Sequence, residues 1–404
     1  MFTALLLSVL AGVGNETVDR PDLVVCVGKI LTMDAESTVI NHGYIAVKDG
    51  KILSVSATDD APADVPRLER PKLWAFPGMV ELHSHIVQSG WSSDINDMHF
   101  PINYDLRTAP AITVGNESMR RACASGVTTA FMIPGSGTSM SGFGAVVKFK
   151  TDPAGKWDDA VLRDPGGVKC AQNFNPERRS GDLGVCQTGL SWNFHAQLDG
   201  IAANAKAGKS SGDPLKANVE KIFTKELPVL IHCASAEGVA NVVRMWKLRY
   251  DTQCVISHGS WDGHYAGAYA AKHGVPVNHG PRTINYDSMV REGRVVGGAA
   301  EFTNHGVPLF SLNTDSPVVP QEELFLQGTV SARYGADAMH MLRGLTTHPA
   351  ESIQLGDRVG SLEVGKDADI CLFTGDPLDP RSAVDLVLID GQVQYDRAKD
   401  GQWF

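Results

Sequence analysis

Residues 77–86 read PGMVELHSHI. A Pro-Gly step leads into an apolar run, 79–82, and the run ends on His83 and His85. In an extended strand, residues i and i+2 project to the same face. The two imidazoles therefore aim at one spot at the end of a strand. Neutral imidazole nitrogens converging there suit a divalent metal ion.

Working outward, later apolar runs end in the same manner. PVLIHC (228–233) carries His232, QCVISH (253–258) closes on His258, and PLFSLNTD (308–315) closes on Asp315. Four further runs, TTAFMI (128–133), AVVKFK (145–150), GVKCA (167–171) and VPVNH (275–279), bring the strand-like segments to eight. Stretches such as 213–225, 236–248 and 321–343 carry helical periodicity between and after them. Strands alternating with helices predict an α/β fold with a parallel sheet, and eight of them predict a (β/α)8 TIM-like barrel. Such barrels keep their chemistry at the carboxyl ends of the strands. Histidines from the first, fifth and sixth strands and an aspartate from the eighth then meet near the barrel axis. That donor set points to zinc, with manganese, iron or cobalt as alternatives.

The two ends of the chain resemble each other. YIAVKDGKILSVS (44–56) and VDLVLIDGQVQYD (384–396) each read as strand, Asp-Gly turn, strand. The expected organisation is a signal peptide or extension over 1–19, a small β-sandwich built from 20–72 and 358–404, and the barrel over 73–357.

The chain has 404 residues and a net charge of −10, with 36 Lys+Arg against 46 Asp+Glu. That balance argues against a nucleic-acid surface. No run is long and apolar enough for a membrane span. The start, MFTALLLSVLAGVG, carries an apolar core over 2–13 with small residues after it, so export to the periplasm or exterior is expected if it is a signal peptide and a cytoplasmic location otherwise. The seven cysteines contain no C-x-x-C; Cys170 and Cys186 are the pair that export would allow to join.

PGMVELHSH, LIHCASAEGV, VISHG, NTDSP, the stretch GLTTHPAESIQLGDRVGSLEVGKDADICLF and the terminal Asp-Gly hairpins together resemble the amidohydrolase superfamily, its imidazolonepropionase-like and prolidase-like branch in particular. The resemblance covers nearly the whole chain. It implies one or two divalent ions, with His83, His85 and Asp315 as ligands of the more buried one and His232 and His258 as ligands of the second. It also implies a carboxylated lysine bridging the two, for which Lys169 is first choice and Lys148 and Lys150, one strand earlier, are rivals. The implied activity is hydrolysis of a non-ester C–N bond of a small molecule by a metal-activated hydroxide, with Asp315 as general base and acid and His258 beside it. Dipeptidase or prolidase-type action, an isomerase, and a catalytically silent metal-binding protein are the competing expectations, and assembly into a homo-oligomer is left open.

His279 and Arg282, in VNHGPR at the end of the seventh strand, are expected to contact substrate, the arginine through an anion. The loop 87–106 is long enough for a lid or pocket wall. The glycine-rich stretch 134–144 lacks the third glycine and the following helix of a dinucleotide loop. His348 is expected to be structural. No G-x-S-x-G, H-E-x-x-H or P-loop occurs, so serine hydrolase, zincin and NTPase readings lack their residues.

Overall fold

Asp49 and Gly50 both take left-handed backbone angles (φ 49° and 74°), and so do Asp390 and Gly391 (φ 50° and 70°). Two consecutive positive φ values are what a two-residue hairpin between twisted strands requires. The structure is a computed structural model and describes residues 20–57, 64–89, 95–177, 186–281, 283–285 and 293–403. The apolar start at 2–13 and Arg282 lie outside the described residues, as does 90–94 of the long loop.

One sheet gathers both ends of the chain. Strands β1 (Leu23–Leu31), β2 (Val39–Lys48), β3 (Lys51–Ser56) and β4 (Arg67–Pro77) come from the first part, and β15 (Ile370–Phe373), β16 (Val384–Ile389) and β17 (Gln392–Asp396) from the last. Their order, β17-β16-β15-β4-β1-β2-β3, is a seven-stranded sheet, the small β domain expected from the two ends of the chain together. It curls on itself: Lys51 on β3 bridges to Asp367 ahead of β15, and Val25, Ile45, Ile52, Ala75, Ile370 and Leu388 share one buried cluster.

From β4 the chain passes through Gly78 directly into the barrel. A Cβ at Gly78 would lie 2.0 Å from Thr128 Oγ1, so only glycine fits this crossing. The barrel sheet runs β5 (Met79–Ser84), β6 (Val127–Met132), β7 (Met140–Lys148), β8 (Val161–Ala171), β9 (Val229–Cys233), β10 (Cys254–His258), β11 (Val277–His279) and β14 (Phe310–Leu312), each neighbouring the next. Short strands β12 (Ile284–Asn285) and β13 (Val296–Gly297) pair separately. A bridge between Ser84 and Ser316, with His85 N–H donating to Ser316 O at 2.9 Å, brings the first and last barrel strands together.

All eight expected strands are present, but one runs backwards. β7 is antiparallel to both β6 and β8, while the other neighbours are parallel. Residues 133–139 connect β6 to β7 as a hairpin, too short for the crossover that a parallel pair needs. The barrel is therefore TIM-like with a reversed third strand. Val80, Phe131, Val146, Leu230 and Val255, from five different strands, lie in one buried cluster with Ile353 and Leu355. Side chains from around a ring meet only inside it, so this cluster fills the barrel and floors the site above.

Candidate metal centre

β10 shows how the backbone aims a ligand. Ser257 faces inward, its Oγ 2.5 Å from His83 Nδ1. Strict alternation would turn His258 outward into the helix layer. Instead His258 has φ 76°, and Gly259 follows at φ 56°. The left-handed step, rare for a residue with a β-carbon, swings the imidazole back into the barrel, with its ring centroid 4.4 Å from that of His83 and 4.6 Å from that of His232. Asp315, just past β14, has φ 51°.

These groups form one cluster. Asp315 Oδ1 lies 3.2 Å from His83 Nε2 and 3.3 Å from His85 Nε2. Ligand atoms of His83, His258 and Asp315 all fall within 4.8 Å of one another. The tightest trio thus mixes the two ligand groups expected from the sequence. His85 joins it through Asp315, and His232 through His258.

The ring nitrogens away from the centre are tied to the protein. Nδ1 of His85 donates to Ile133 O (2.9 Å) and Nδ1 of His258 to Gly280 O (2.8 Å). With Nδ1 carrying the proton, Nε2 of each neutral ring presents a lone pair toward the centre, the usual arrangement behind metal-ligating histidines. His258 Nε2 and both ring nitrogens of His232 are buried with no hydrogen-bond partner. Buried polar atoms normally find partners, so these orphans fit a cation. Burial, then the charges of Lys169 and neighbouring imidazoles, hold the His83 imidazole well below its ordinary pKa; burial followed by His258 and Lys169 does the same to His232. Burial alone would raise the Asp315 carboxyl, but His258, His85 and His232 outweigh it and keep it below the usual carboxylate range. Neutral imidazoles around an ionised carboxylate are the protonation states that coordination requires.

Lys169 stands on β8 with its Nζ 3.2 Å from His83 Nε2 and 2.7 Å from Ser136 Oγ, fully buried. Lys148 is at the other end of the barrel. Because β7 is reversed, its carboxyl end points toward the terminal sheet, where Lys148 Nζ meets Asp367 at 2.8 Å, Asp369 at 2.9 Å and also Asp390. Lys150 pairs with Asp390 at 2.9 Å in the same place. Strand direction removes both rivals from the centre.

Two further expectations change. His279 keeps the regular alternation that His258 breaks: its ring packs against Phe302 and Phe310, and its Nδ1 donates to His258 O at 2.7 Å. It faces the helix layer and supports a neighbour of the centre. Cys170 and Cys186 are free thiols, the first buried in the core. As expected, His348 is an internal fastening, with Nδ1 donating to Phe310 O at 3.0 Å.

One residue escaped the sequence reading. Between Glu81 and Ser84 the β5–β6 ladder is interrupted, and the His83 N–H donates instead to Glu81 Oε1 at 2.9 Å. Thr314 donates its N–H (3.0 Å) and hydroxyl (2.9 Å) to Glu81 Oε2. Burial lifts this carboxyl to about 8 against those three hydrogen bonds. Its signal was a carboxylate inside an apolar run, where charge is seldom placed without partners.

A cavity of about 330 Å³ opens above the cluster, lined by His232, His258 and Asp315 on its floor. The described residues of the long loop, 95–106, lie beside β7, where Ile102 bridges to Met140 and Asn96 Oδ1 accepts the Gly137 N–H at 2.7 Å.

The sequence profile of the amidohydrolase family matches residues 197–394. The crystal structure of an amidohydrolase from Thermotoga maritima MSB8 superposes with a TM-score of 0.81 at 26% identity, covering 93% of this chain and all of that one. The chain belongs to the amidohydrolase superfamily. Amidohydrolase tasK of Hapsidospora irregularis is 21% identical over 402 residues, 89% of this chain; the match spans 40% of that relative's length. A 5-methylthioadenosine/S-adenosylhomocysteine deaminase of Shouchella clausii is 23% identical over 385 residues, 85% of this chain and 84% of its own. Among the described residues of this amidohydrolase, no helix is long and apolar enough to cross a membrane.

Proposed function

We propose that this amidohydrolase is a metal-dependent hydrolase of a non-ester C–N bond in a small molecule, with His83, His85, His232, His258 and Asp315 as its ligand set and zinc as its first-choice ion. The observation that carries the reading is the cluster of buried, partnerless ring nitrogens on His232 and His258 facing the ionised Asp315. A bound divalent cation supplies Lewis acidity and lowers the pKa of water. With His258 Nδ1–H committed to Gly280 O, Nε2 has only a lone pair, so this imidazole suits coordination better than donation to a substrate oxygen. Asp315 takes a proton from the attacking water and returns it to the leaving nitrogen, which departs poorly as an anion. Lys169 as a cation sits too close to the imidazoles for a second dication; carboxylated at Nζ, it becomes the anion that two ions require.

Metal analysis of the purified full chain, paired with a panel of amides, cyclic amides, amino-heterocycles and dipeptides, tests the reading. The expected result is one or two equivalents of a divalent ion and C–N hydrolysis lost with chelator and restored with Zn²⁺. A metal-free protein that refuses added Zn²⁺ overturns it.

A further inference from the structure

Two large apolar side chains stand exposed at the rim of the same cavity, Phe174 (52% accessible) and Trp261 (40%). Phe174 follows β8 and Trp261 follows β10, so the pair arches over the end of β9 and His232 between them. Their ring centroids are 4.4 Å apart and their planes cross at 85°. Both take left-handed backbone, φ 70° for Phe174 and 57° for Trp261, a strained choice for aromatic residues.

The strain is held by anchors on either side of the loop after β9. Asn173, preceding Phe174, accepts the Ala234 N–H at 2.9 Å and donates to Ser235 Oγ at 3.1 Å. Asp262, following Trp261, accepts the Ala236 N–H at 3.1 Å. Strained residues that the surroundings hold in place cluster at ligand-binding sites, and here both residues that carry the strain are exposed aromatics facing one cavity. Perpendicular planes make an L-shaped corner that takes a ring face on one wall and a ring edge on the other. Pro281, Val318 and Ala234 extend the apolar lining, and among the described lining residues only Asp315 is an acid or a base other than histidine.

We propose that Phe174 and Trp261 form an aromatic clamp selecting substrates with a flat, uncharged aromatic or heteroaromatic ring beside the scissile C–N bond. This rests on the reading of the cluster below as a metal centre, and the test separates the two. Three hydroxamates share one chelating group and differ in the attached body: acetohydroxamate, cyclohexanecarbohydroxamate and benzohydroxamate. Their affinities for the zinc-loaded full chain are read by calorimetry. Benzohydroxamate is expected to bind about tenfold tighter than acetohydroxamate and several-fold tighter than the puckered cyclohexane analogue, as a stacked ring contact implies. Phe174→Ala and Trp261→Ala are each expected to erase most of that preference while leaving acetohydroxamate within about twofold, which doubles as the check of folding. Equal binding of all three probes, or a preference that survives both substitutions, overturns the clamp alone. Zinc-dependent binding of none of them overturns the metal centre, and the clamp falls with it.

Discussion

Thr314 reaches Glu81 twice, through its backbone N–H and its hydroxyl, and both bonds end on the same carboxylate oxygen. Glu81 lies two residues before His83 and Thr314 lies one before Asp315. A single buried carboxylate thus fixes the approach of two proposed ligands from opposite ends of the barrel sequence. Glu81→Ala leaves the N–H groups of His83 and Thr314 and the Thr314 hydroxyl without their acceptor. A buried unsatisfied donor costs about 1–3 kcal/mol, so the loss is expected near 3 kcal/mol in urea unfolding, with metal affinity about 10–100-fold weaker. Glu81→Gln keeps the shape and recovers part of both.

Lys169→Met tests the bridge. If Lys169 is carboxylated, the wild type loaded in bicarbonate holds two equivalents of zinc and the variant holds one, by atomic absorption on desalted protein. Two equivalents in the variant would assign the second ion to the imidazoles alone.

For His279 the geometry predicts an indirect effect. His279→Phe fits the aromatic surroundings of Phe302 and Phe310 but removes the hydrogen bond to His258 O. One lost hydrogen bond is worth about 1 kcal/mol, so zinc affinity should fall several-fold while KM for any active substrate stays near the wild-type value. A large rise in KM with metal affinity intact would restore His279 as a substrate contact.

The opposite end of the barrel makes a separate prediction. Lys148 is buried among Asp367, Asp369 and Asp390, and removing one partner of a buried ion pair costs about 3–5 kcal/mol. Lys148→Met should lose that much at pH 7. Burial raises Asp367, but the hydrogen bond from Arg358 and the charge of Lys148 outweigh it and hold its folded pKa low. A depressed carboxylate contributes stability above its unfolded value, about pH 4, and loses it as pH falls toward the folded value. Burial raises Asp369, and without Lys148 it protonates more readily still. Both effects act in one direction: the gap between wild type and variant narrows as pH falls, starting above about pH 4 where Asp369 takes up its proton and continuing below it as Asp367 does. Chemical unfolding at pH 7, 5 and 3 measures it.

The positions of strands and the residues at their ends were legible, because apolar runs with polar tips report burial directly. Strand polarity was not. Alternation looks the same read in either direction, so the AVVKFK run gave no hint that its carboxyl end, with Lys148, faces away from the centre. The clue lay in the connection: 133–139 is glycine-rich and cannot hold a crossover helix. The side chains at the ends of β10 and β11, both expected at the same rim, part for a related reason. His258 and His279 are register partners, yet a left-handed φ at one of them sends the two rings to opposite sides, and nothing in QCVISHG or VNHG announces it beyond the glycine after each. The Phe174–Trp261 corner depends on two loops 87 positions apart in sequence and could not be read locally.

The junction of Ser84 with Ser316 has a consequence for how the molecule holds together. It is the seam where the rolled sheet shuts, and His83, His85 and Asp315 stand on its two lips. The ion proposed for this centre would be gripped by both lips as a clasp, so that opening the ring would mean surrendering it. At a free metal concentration a hundred times the dissociation constant, that linkage adds about 2.7 kcal/mol to the stability of the shut form. With the proposed ion in place, the resistance of the ring to opening rises and falls with the metal supply around it.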